Sequence, residues 1–81
     1  MTIPPHLLTF LAEEAGDDPR PDTVAWLVAL LRHPSPVVRE GAVLGLAKVD
    51  TPEARRALEQ HKDESPGVRA MLVDLLRRDN P

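Results

Sequence analysis

His33-Pro34-Ser35-Pro36-Val37-Val38-Arg39 and Asp63-Glu64-Ser65-Pro66-Gly67-Val68-Arg69 are one pattern written twice, with Ser35-Pro36-x-Val38-Arg39 returning as Ser65-Pro66-x-Val68-Arg69. A hydroxyl residue followed by proline opens a helix. The hydroxyl accepts a free backbone N–H, and proline occupies a first-turn position whose own N–H the helix cannot use. Thr51-Pro52 is a third such start. Asp22, after Pro19-Arg20-Pro21, reads as a fourth N-cap. Pro4 or Pro5 opens a further helix that ends near Gly16, a natural residue for a helix C-terminus. The punctuation predicts five helices, over 4–15, 23–32, 36–49, 52–62 and 66–78. No segment alternates as a strand would. The short loops predict that consecutive helices are antiparallel neighbours.

The echo extends beyond the helix starts. Val38, Ala42 and Leu46 map onto Val68, Leu72 and Leu76. In the helices between, Val24, Leu27, Val28 and Leu31 map onto Ala54, Ala57, Leu58 and His61, the i, i+3, i+4, i+7 spacing of a single face. Two helix types therefore share one period. Gly41 and Gly45, one turn apart inside a helix, each cost about 1 kcal/mol relative to alanine, which predicts close helix–helix packing there.

A period of this length, with a Pro-x-Val-Arg start and an Ala/Leu-rich continuation (Leu44-Gly45-Leu46-Ala47), resembles HEAT-like repeats, in particular the short repeats of bacterial phycobilin-lyase-like proteins. The resemblance spans about 23–78. It implies an all-α fold of five short helices in about two and a half HEAT-like helical hairpins, forming a right-handed stack. The whole of 1–81 is then one repeat domain. Residues 1–16 form an atypical N-terminal helix and 17–34 the second helix of the first hairpin. The second hairpin spans 35–63, and a C-terminal half repeat spans 64–81. The resemblance also implies a ladder between repeats, in which an acidic residue before the proline pairs with an arginine of the next helix. Asp63 and Arg69 fit it, whereas His33 holds the acidic place opposite Arg39. Lyase activity would rest on the resemblance alone.

Composition narrows the function. The chain has 81 residues, no cysteine, one Phe (Phe10) and one Trp (Trp26). Disulfides and cysteine zinc sites are excluded. A net charge of −3 argues against general attraction to nucleic acid or anionic lipid. The longest apolar run, Val24 to Leu31, is far short of the ~20 residues of a membrane helix, and no signal peptide is legible, so a cytoplasmic protein is expected. His6, His33 and His61 lack metal-ligand spacing, no nucleophile motif surrounds Ser35 or Ser65, and Gly41 and Gly45 form no phosphate loop. The residues imply no enzyme, no cofactor and no metal.

What remains is contact with partners. Val24, Leu27, Val28 and Leu31 form the core stripe of the second helix, leaving Trp26 and Leu30 on another face. One repeat later those positions hold Arg56 and Gln60. Tryptophan is strongly enriched where partners bind. An exposed patch of Trp26 and Leu30, extended by Arg56, Glu59 and Gln60, is one reading. The other places Trp26 under the first helix or the arm Met1–Pro5. The expected function is a non-catalytic protein-interaction or scaffold module, with a protein partner or self-association. The apolar C-terminal helix either closes the stack or is covered by another chain. Glu13 and Glu14 oppose the dipole at their helix end, which marks them as candidate partner contacts. Residues 1–34 hold five acidic and two basic residues, and the rest balances. The alternative is a nucleic-acid-associated protein that contacts phosphates through Arg55, Arg56, Arg77 and Arg78.

Overall fold

A computed structural model describes residues 3–78. It contains α1 (Pro5–Ala15), α2 (Pro21–Leu30), α3 (Pro36–Val49), α4 (Pro52–Gln60) and α5 (Pro66–Arg78), with no strand among the described residues. Each helix has proline in its first turn, so the proline punctuation set all five starts. Met1, Thr2 and 79–81, the ends of the expected 1–81 domain, lie outside the described residues.

The expected boundaries need correction at three places. First, α2 begins at Pro21, and Asp22 is not its cap. Arg20 holds the cap position without a side-chain bond. The carboxylate of Asp18 organises this turn, accepting the Arg20 backbone N–H at 3.1 Å and the Thr23 hydroxyl at 2.9 Å. Second, α2 ends at Leu30, after which Leu31, Arg32 and His33 continue in tighter i→i−3 turns. Third, α4 stops at Gln60, because His61 turns extended (φ −75°, ψ 127°) and folds its ring onto Asp63. Of the expected hydroxyl caps, Thr51 accepts the Ala54 N–H at 3.1 Å, whereas Ser35 makes no cap bond.

Consecutive helices from α1 to α4 do touch, but the closest packing skips a helix. Helix α1 packs chiefly on α3 and only lightly on α2. The helices form two layers, α1–α3–α5 and α2–α4, with α3 touching all four others. Gly41 and Gly45 explain the closeness of α1. A Cβ on Gly41 would collide with Thr9, and one on Gly45 with the Ala12 carbonyl. The Thr9 hydroxyl donates to the Val37 carbonyl at 2.7 Å across the same seam. Gly16 serves space as well. Its backbone is right-handed rather than the left-handed form of a C-terminal glycine, and a Cβ there would lie 2.8 Å from the Gly45 carbonyl.

The core runs between the layers. Leu27, Val38, Val43, Leu46 and Val68 are fully buried, joined by Ala12, Ala42, Ala54 and Leu58. Leu, Val and Ala make up the buried core, with no aromatic side chain among them.

Candidate functional site

The loops that follow α2 and α4 are equivalent under the repeat and share one construction. The His33 ring accepts the Ser35 N–H at Nδ1 (3.0 Å), and the Asp63 carboxylate accepts the Ser65 N–H at Oδ1 (2.9 Å). His33 thus fills the acidic place with a ring nitrogen as the acceptor.

The ladder runs in the direction opposite to that expected. Asp63 pairs with Arg39 of the preceding repeat, not with Arg69. Arg39 grips it with Nε to Oδ2 at 2.9 Å and Nη2 to Oδ1 at 3.2 Å. Carboxylates favour this two-pronged geometry. The remaining nitrogen of Arg39 donates to the carbonyls of His33 (2.8 Å) and Pro34 (3.0 Å), tying the rung to the earlier loop. Arg69 makes the matching contact to its own loop, the Asp63 carbonyl at 3.5 Å. His61 Nε2 lies 2.7 Å from Asp63 Oδ2. Burial raises the Asp63 pKa, but the bonds from Arg39, Ser65 and His61 outweigh it and hold the carboxyl at about 2.

Between these loops lies a groove of about 640 Å³. Val28, Leu31 and Ala57 give it an apolar part, the Arg39–Asp63–His61 network a polar one, and Arg32 and Lys62, equivalent under the repeat, a cationic rim. Sequence reasoning missed this groove. The pairing of Arg32 with Lys62 at the repeat spacing was the available signal.

The structure divides the predicted contact surface. Gln60 lines the groove, but Trp26, Leu30, Arg56 and Glu59 do not. Val28 is the α2 side chain turned into the groove. Trp26 lies two residues from it, about 200° around the helix, and so faces elsewhere. Trp26 is 40% exposed, and neither α1 nor the described part of the N-terminal arm buries it. Leu30 is half-buried against the core, while Arg56, Glu59 and Gln60 are exposed.

Of the four arginines considered for phosphate, Arg55 and Arg78 share a small cavity with Asp50, Leu75 and Leu76. Each already holds a carboxylate: Arg55 pairs with Asp50 and Arg78 with Asp74, both at 3.0 Å. Arg56 and Arg77 are exposed. Among the described residues no cluster of His, Asp or Glu could hold a metal ion, and no helix is long and apolar enough to cross a membrane.

The family model for HEAT repeats matches residues 6–80. No curated protein and no solved structure matches the chain.

Proposed function

The chain belongs to the HEAT-repeat family, and on that premise we propose that it is a non-catalytic protein-interaction module whose contact surface centres on Trp26. HEAT repeats generally mediate protein–protein contacts or act as scaffolds. The observation that carries the reading is the exposure of the one tryptophan in the sequence, at a helix position whose repeat counterpart is the solvated Arg56. An indole on a helix offers a large, stiff anchor that loses little entropy on binding. Leu30 extends the apolar centre one turn on, and Arg56 and Glu59 on α4 supply polar contacts beyond it. Residues 1–81 act as a single repeat domain in the cytoplasm.

Affinity capture with folded wild-type and Trp26→Ala baits tests this, followed by titration of the purified partner against Trp26 emission. A hot-spot role predicts a blue shift on binding and a Kd at least about 30-fold weaker for Trp26→Ala. Equal retention of the same partner by both baits would sink it. The nucleic-acid reading draws less support, because carboxylates already hold Arg55 and Arg78. A salt-sensitive DNA or RNA mobility shift lost on replacing Arg56 and Arg77 would reverse that ranking.

A further inference from the structure

The two ends of the three-helix layer are complementary halves of a junction that the chain already builds inside itself. Leu11, Gly41 and Met71 are equivalent under the repeat, as are Val43 and Val73. On α3, Gly41 meets the helix before it, and Met71 on α5 is partly buried against the core. Among the described residues α1 is the first helix, and its Leu11 is 40% exposed, with Leu7 at 45%. At the other end, Val43 of α3 is fully buried, while Val73 on α5, the last helix among the described residues, is 55% exposed.

Charge follows the same polarity. Helix α1 carries Glu13 and Glu14 and no lysine or arginine, whereas α5 carries Arg69, Arg77 and Arg78 against a single Asp74. Asp74 is paired with Arg78. Arg69 and Arg77 have no carboxylate partner among the described residues. A symmetric α1–α1 contact would bring two acidic helices together. Contact between α5 of one copy and α1 of another joins a cationic edge to an acidic one.

We propose that the chain assembles head to tail with further copies of itself, Val73 and the arginines of α5 docking on Leu7, Leu11 and the exposed Glu14 of α1, so that the three-helix layer continues from copy to copy. Such a contact uses different patches on the two partners and leaves a free edge at each end, so assembly does not stop at a dimer unless the rotation closes a ring. It lies apart from the Trp26 surface and does not depend on it.

Sedimentation of the full chain across a concentration range, at low and high salt, gives the first reading. The expected weight-average mass climbs past two copies and falls as salt screens the charges. Two variants decide the geometry. Leu11→Lys places a cation against Arg69 and Arg77 and blocks the α1 edge; Val73→Glu places a carboxylate against Glu14 and blocks the α5 edge. Both positions are exposed, and circular dichroism checks that each variant is folded. Each alone is expected to be a monomer. Trp26→Ala is expected to assemble as wild type. A wild-type chain that stays monomeric at about 1 mM overturns the proposal. So does a Val73→Glu variant that assembles like wild type, as an α1–α1 pair would, or loss of assembly in Trp26→Ala.

Discussion

Replacing Asp63 with alanine removes an acceptor from four donors at once: Arg39 Nε and Nη2, the Ser65 N–H and His61 Nε2. The Asp63 side chain is 1% exposed and that of Arg39 only 15%, so the guanidinium would be left largely out of water without its counter-charge. Removing one partner of a buried pair costs about 3 to 5 kcal/mol. Arg39 keeps its bonds to the His33 and Pro34 carbonyls and some solvent. The cost therefore falls near the low end, about 3 kcal/mol. At about 0.05–0.15 kcal/mol per residue, a chain this size has roughly 4 to 12 kcal/mol in total, so one substitution takes a large share. Urea denaturation followed by helical dichroism and Trp26 emission measures it. The midpoint temperature should fall by about 12–24 °C, from about 4–8 °C per kcal/mol in a domain of this size. Asp63→Asn keeps an acceptor for the Ser65 N–H and loses the charge, so it should cost less, about 2 kcal/mol. An alanine variant within about 0.5 kcal/mol of wild type would show that the rung does not join the repeats energetically.

Acid should reproduce part of that loss. The Asp63 pKa is depressed from 3.8 to about 2 in the fold. A depression of that size contributes about 2 kcal/mol, which is full above about pH 4 and is lost as pH falls toward about 2. Urea midpoints measured down the pH scale should show this slope in wild type and a shallower one in Asp63→Asn. Gly45→Ala drives a methyl into the Ala12 carbonyl. It should destabilise by about 2–3 kcal/mol, measured by thermal melting. A methyl at Gly67 meets the flexible end of the Glu40 side chain at 3.3 Å and the Ser65 hydroxyl at an ordinary 3.8 Å. Gly67→Ala should therefore stabilise by about 0.5 kcal/mol in the same assay. The Thr51 hydroxyl caps α4, whereas that of Ser35 caps nothing. In chemical denaturation Thr51→Ala should cost about 1 kcal/mol, and Ser35→Ala less than about 0.5 kcal/mol.

The helices are legible where the signal is local. Pro36, Pro52 and Pro66 can begin a helix but cannot sit inside one, and each marks the first residue of its helix. Gly41 and Gly45 announce close packing because nothing else offsets their cost. The start of α2 is misplaced because its organising carboxylate, Asp18, lies in the loop, one turn upstream of the nearer candidate Asp22. The ladder is misdirected for a related reason. Asp63 and Arg69 sit close together in sequence, but the pair that forms, Arg39 with Asp63, spans 24 residues of chain and is set by stacking. The same stacking explains why the first loop tolerates a histidine. The place equivalent to Arg39 one repeat earlier is Thr9, which donates to the Val37 carbonyl and needs no carboxylate. The groove escapes a sequence reading because its lining comes from three helices and two loops, none of which is distinctive alone.

The preference of α1 for α3 over α2 bears on how the chain is made. During synthesis α1 and α2 emerge first, and together they form only a light contact. The surface of α1 around Leu8 and Ala12 stays wet until the ribosome has released Gly41 and Gly45, the residues that let the two backbones close. Folding therefore waits on the middle of the chain. A nascent chain stalled before α3 holds α1 and α2 with only that light contact between them, and one released just past α3 already holds the seam on which the remaining helices settle.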